Sequence, residues 1–189
     1  MRIKEREYRD LSSLLKPAEK NSDYYVEGYA ATFTRYELFE FGGMRYYEEI
    51  SPGAFDGADI SDVIMQYDHT GKVLARLRNN TLGIEPDEKG LFVYADLSKS
   101  AAARELYEEI AAGLVDRMSW AFTIAEQELQ NLDEHTRLII IKAIKKIYDV
   151  SAVSLPANDD TEISARSLLN AERERRVRLL KLKIQLGGL

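Results

Sequence analysis

The chain has no cysteine. Disulfides, thiolate zinc sites, iron–sulfur clusters and cysteine nucleophiles are therefore excluded together, and the composition suits a reducing compartment. Only two histidines occur, His69 and His135, so a multi-histidine metal site cannot be assembled. No run approaches 18 consecutive apolar residues, which excludes a transmembrane helix. The charged segment Met1–Glu7 has no apolar stretch of the kind a secretion signal needs. With 4 prolines and 11 glycines, the collagen-like and low-complexity classes fall away. Thr70-Gly71-Lys72 lacks the preceding glycine and spacing of a phosphate loop, and no dinucleotide fingerprint follows a strand.

What remains is a chain of 189 residues, 45% hydrophobic and 31% charged. That is enough for one domain with a real core, or one domain plus an appendage. Charge is unevenly placed. Residues 166–189 hold seven Lys/Arg and two Asp/Glu, a net of +5, so residues 1–165 carry −11 of the overall −6. An acidic body argues against a nucleic-acid grip. The basic tail reads either as a segment that touches an acidic partner, nucleic acid or the body itself, or as a solvated helix face.

Residues 1–20 are polar and read as an arm or a lead-in strand. Asp23–Thr34, rich in Tyr, Val and Thr, reads as a strand, and Arg35–Gly57 as a loop broken by Gly42-Gly43 and Ser51-Pro52-Gly53. Asp62–Tyr67 is a short apolar run. Val73–Leu77 and Thr81–Glu85 flank Asn79-Asn80, a hairpin-turn signal. Leu91–Leu97 reads as the next strand. Ser100–Ala112 is the clearest helix, with Ala102, Leu106 and Ile110 in one stripe, a serine cap and Gly113 at its end. Met118–Ala125, Thr136–Lys142 and Lys145–Leu155 are three further strands, and residues 163–186 repeat apolar positions as a basic amphipathic helix. The expected divisions are residues 1–20, a globular body at 21–162 and a helical tail at 163–189. Many short strands with tight turns favour a mostly antiparallel barrel or sandwich.

Catalytic options are few without cysteine. A serine hydroxyl needs a neighbouring imidazole to take its proton, and that base must be His69 or His135. His69 leaves an apolar strand in Gln66-Tyr67-Asp68-His69-Thr70-Gly71, which reads either as a mounted base or as a surface turn histidine. His135 lies in a polar link and reads as a solvent-exposed hairpin residue. Ser119, between Met118 and Trp120, reads either as a nucleophile or as a hydrogen-bonded core hydroxyl; Ser151 and Ser154 read as strand residues. The acid pairs Glu48-Glu49, Glu108-Glu109 and Asp159-Asp160 look like solvated surface, and no pair stands out for two-carboxylate hydrolysis.

Five segments in order carry a resemblance: Tyr47-Glu48-Glu49-Ile50-Ser51-Pro52-Gly53-Ala54-Phe55; Gln66–Thr70; Thr81-Leu82 with Gly90-Leu91; Asp116-Arg117-Met118-Ser119-Trp120-Ala121-Phe122; and Tyr148-Asp149-Val150-Ser151-Ala152-Val153-Ser154-Leu155-Pro156-Ala157. Over roughly residues 20–165 they resemble the prohead proteases of tailed bacteriophages, which are related in fold to the herpesvirus assemblins. The resemblance implies a closed, mostly antiparallel β-barrel flanked by helices and makes the body at 21–162 a protease domain; with the helical C-terminal tail read above, the expected fold class is α+β. It implies a serine endopeptidase that needs no cofactor or metal, with Ser119 as nucleophile, His69 as general base and Asp149 as the third member. Asp149 stands where the family has glutamate, one methylene longer, so its reach to His69 is open. The implied substrate is the major capsid protein or scaffold, together with the chain itself, inside the assembling procapsid in the bacterial cytoplasm. Other prohead components are implied partners, and the herpesvirus kinship raises a homodimer; no membrane and, for the body, no nucleic acid is expected. The alternative is a protease-like assembly factor without activity.

Overall fold

The computed structural model describes residues 6–11, 15–18 and 22–154. Two sheets share one core. The larger has seven strands: β1 (Glu7–Leu11), β4 (Tyr36–Phe41), β5 (Met44–Ile50), β6 (Ile64–Tyr67), β7 (Thr70–Arg76), β10 (Arg117–Asn131) and β11 (Thr136–Val153). The smaller has four: β2 (Lys16–Pro17), β3 (Tyr25–Thr32), β8 (Leu82–Pro86) and β9 (Gly90–Asp96), in the order β2-β3-β9-β8. Helix α1 (Ala101–Ala111) follows β9 and is capped by Ser100, whose Oγ accepts from Ala103 N at 3.1 Å. Its buried stripe is Ala103, Leu106 and Ile110, and Gly113 ends it with φ +71.

The large sheet is built on the β10–β11 hairpin. β1 pairs antiparallel with β10. On the other side, β11 pairs in parallel with β5 through Thr136–Ile141 and with β6 through Asp149–Ala152. Between those stretches the 51–63 segment stays stitched to β11, with Ile144 N donating to Ala54 O at 2.8 Å and Asp59 N to Lys145 O at 3.0 Å. Alternation sends Met118, Trp120 and Phe122 from β10, and Val150 and Ala152 from β11, into the core against Val26, Leu91, Val93 and Ala95 of the small sheet and Leu106 of α1. Trp120 and Phe122 stack there at 3.8 Å between ring centroids.

The hairpin is sharply bent. β1 meets β10 at Trp120, while Glu48 of β5 lies opposite Ile139, the partner of Leu129, nine residues further along β10. A straight strand would separate those points by about 30 Å. Yet Arg9 Nε is 2.6 Å from Glu48 Oε1 and Nη2 is 2.8 Å from Oε2. Register irregularities between Ala121 and Gln127 supply the bend.

Several expectations need correction, among them the three strands expected at Met118–Ala125, Thr136–Lys142 and Lys145–Leu155, which are two long strands, β10 and β11. No backbone ladder closes either sheet, so the expected closed barrel flanked by helices is replaced by two open sheets and one α-helix among the described residues. The bend instead brings the flanking strands β1 and β5 together through the Arg9 and Glu48 side chains, with no strand pairing between them. Arg35–Gly57 is not simply a loop, because Gly42 and Gly43, with φ +60 and +76, form the tip of the β4–β5 hairpin. Asn79-Asn80 does not join a hairpin either: β7 pairs with β6 and β8 with β9, and a 3₁₀ turn at Leu77–Asn79 carries the chain between sheets. The helix expected at 163–186 lies outside the described residues.

Candidate active site

Ser119 lies on β10, paired with Ser151 on β11; Ala121 is paired with Asp149. Opposite residues of an antiparallel pair share a face, and the side-chain period is two. Ser119, Ala121, Asp149 and Ser151 therefore project from the same face, opposite to Trp120 and Val150. The large residue after the serine therefore points away from it: Trp120 fills the core while Ser119 takes the opposite face.

His69 comes from the far edge of β11. The β6–β7 hairpin turns through Asp68 and His69, with φ +46 and +55, and Tyr67 pairs with Thr70. Positive φ at both central residues defines a two-residue primed turn, a conformation that Asp and His tolerate better than most residues. The tip is tied down. Asp68 N donates to Ala152 O at 3.0 Å, and the Asp68 carboxylate accepts from Ser154 N and Ser154 Oγ, each at 3.1 Å. These bonds fold the tip over β11 towards β10.

There His69 Nε2 is 2.6 Å from Ser119 Oγ, and Nδ1 is 2.5 Å from Asp149 Oδ1. The shorter aspartate does reach. Ser151 Oγ donates to the same Asp149 oxygen at 3.0 Å. Ser119 and Ser151 are fully buried and Asp149 is 4% exposed. The acceptor at Nδ1 favours the tautomer with the proton on that nitrogen, which frees Nε2 to accept the serine proton. Hydroxyl, imidazole and carboxylate thus stand in the order that general-base activation of a nucleophile requires.

The structure brings the three sequence-selected residues together and keeps His135 apart, exposed in the β10–β11 turn. Two neighbours were not singled out from sequence as site residues. Ser151 could have been found from its two-residue spacing to Asp149. Tyr8 of β1, whose ring meets His69 edge to face with centroids 4.8 Å apart, had no such signal. One of the supposed surface acids is also buried: Glu48 is inaccessible, gripped by Arg9 and hydrogen-bonded by Tyr36. Burial, with the negative charge of Glu48, pushes the Tyr36 phenol well above its ordinary range. Burial works against the Arg9 charge, but Glu48 outweighs it and holds the guanidinium protonated.

A serine, a histidine and an acid thus converge on a β scaffold in one hydrogen-bonded chain. Residues 12–174 match the family described as caudovirus prohead serine protease, and the chain belongs to that family. This places it among the phage serine proteases of capsid maturation. Neither the curated proteins nor the solved structures contain a significant match to it.

Proposed function

We propose that the chain is an active serine endopeptidase that cuts the major capsid protein or its scaffold inside the assembling procapsid, and also cuts itself. The observation that carries this is the hydrogen-bonded relay from Ser119 Oγ through both nitrogens of His69 to Asp149 Oδ1. Ser119 attacks the scissile carbonyl while His69 Nε2 takes its proton. The same nitrogen then delivers that proton to the leaving amine, and a water repeats the cycle on the acyl-enzyme. Asp149 stays ionised, holds the imidazole tautomer and stabilises the imidazolium. Ser151 supports Asp149 by donating to the oxygen that faces His69.

The self-cleavage part is motivated by the polar Asn158-Asp159-Asp160-Thr161 link before the basic tail. A tail of net +5 suits docking to an acidic scaffold region before it is removed. Co-expression with the phage's own capsid protein tests the proposal. Wild-type chain should shorten the capsid protein and lose mass itself, while Ser119→Ala should do neither. Undiminished processing by Ser119→Ala would refute it, as would the alternative outcome, an inert wild-type protein that still supports assembly.

A further inference from the structure

We infer that Tyr8 is a positioning residue for the catalytic histidine, and that strand β1 is a working part of the site; the inference rests on the catalytic reading of His69. The matched family region begins at residue 12, after the strand that carries Tyr8. Yet β1 lies directly beside the nucleophile's strand, with Tyr8 opposite Ala121 and Asp10 opposite Ser119 in register.

The imidazole has both nitrogens committed, to Asp149 and to Ser119. Those bonds fix its edge, but a ring at the tip of a two-residue turn also needs lateral support. Tyr8 supplies it, at 4.8 Å between centroids and 76° between planes. Such T-shaped contact is the preferred geometry of aromatic pairs. Its neighbours hold the strand in place. Arg6 lies over the Tyr148 ring, 4.0 Å from the centroid, next to Asp149. Arg9 points to the other face and grips Glu48 with two hydrogen bonds. Its Nη1 also donates to Tyr8 O at 2.8 Å, so the anchor acts on the backbone of the residue that supports the base.

The test is the rate at which a fluorophosphonate phosphonylates Ser119, with loss of fluoride, across the pH range where histidine titrates, in wild type, Tyr8→Leu and Tyr8→Phe. Tyr8→Leu should slow the reaction about 2- to 12-fold, the rate equivalent of an aromatic pair, and displace the pH midpoint. Tyr8→Phe, which keeps the ring, should restore most of both. Wild-type rate and midpoint in Tyr8→Leu would overturn the inference, as would a Phe variant no better than Leu. Should the Leu variant fail to fold, the Ser119→Ala protein tests the contact directly: nuclear Overhauser contacts between the Tyr8 and His69 rings are expected, and their absence refutes it. A wild-type protein that the reagent does not label at all, or labels equally well in His69→Ala, would overturn the catalytic reading instead.

Discussion

Replacing Asp149 by asparagine is the sharpest perturbation of the relay. The substitution keeps shape and removes charge. In the proposed mechanism His69 becomes imidazolium in the transition state, with Nδ1 2.5 Å from Asp149 Oδ1. Charge centres about 4 Å apart in a site of effective dielectric constant about 20 attract by about 4 kcal/mol. Asp149 is only 4% exposed, so solvent does little to screen that attraction. A loss of that size is about a thousandfold in rate. The tautomer adds a second effect. An amide group turned to His69 would place the proton on Nε2 and disable the base, and in the well-studied serine protease triad such a change costs about 10⁴. Here Ser151 Oγ donates to the same Oδ1 at 3.0 Å, which favours keeping the amide oxygen in that place and preserving the productive tautomer. The expected loss in kcat/KM is therefore about 10³, nearer the charge effect alone. Steady-state cleavage of the proposed capsid substrate measures it, with a urea melt to confirm the fold. A loss under about tenfold would refute the reasoning, because the imidazolium would then not depend on this carboxylate.

Four further outcomes follow from the same contacts. Ser151→Ala leaves a buried carboxylate short of one donor and should lower stability by about 2 kcal/mol in urea denaturation. Glu48→Ala removes two hydrogen bonds and an ion pair from the buried Arg9 guanidinium, which keeps its ion pair with Glu7, and should cost about 3 kcal/mol, while the double variant Arg9→Met, Glu48→Leu should recover most of it. Asp68→Val places a branched side chain at φ +46 and removes the bonds to Ser154, so both stability and cleavage should fall, with at least ~1–2 kcal/mol from the backbone. Burial alone would raise the pKa of Asp96, but donors from Ser98 and Ser22, with Lys99, hold it well below the ordinary range. A depressed carboxylate contributes stability above its unfolded value, about 3.9, that is lost as pH falls through the folded value. Asp96→Asn should therefore be less stable at neutral pH and show a shallower acid decline in thermal melts.

The elements legible in sequence were those whose signals are local. The Tyr/Val-rich run became β3, and the capped, Gly-ended helix became α1 within a residue at each end. Long-range partnerships were not legible. Glu48 sits in the acidic run Tyr47-Glu48-Glu49 and looks solvated, because the cation that buries it, Arg9, is 39 residues away. That charge pattern also hid the β4–β5 hairpin, although Gly42-Gly43 between two strand-length runs is a turn signal. Three separate strand segments could not announce that they form one bent hairpin, since bulges leave no period to follow. Ser119, His69 and Asp149, which the structure brings together, are picked out in sequence through the order of five motifs rather than through spacing. Read alone, His69 looked like a turn residue and Ser119 like a buried hydroxyl. Both descriptions are correct: the turn mounts the imidazole, and burial holds the hydroxyl against it. Tyr8 carried no signal, because its importance arises only when β1 pairs beside Ser119.

In the proposed mechanism His69 activates Ser119, and fluorophosphonate treatment followed by peptide mass spectrometry reads that activation out. A single adduct on Ser119 is expected, one that His69→Ala abolishes while the protein stays folded. An adduct on another residue, or one on Ser119 that forms at the same rate without His69, would contradict it.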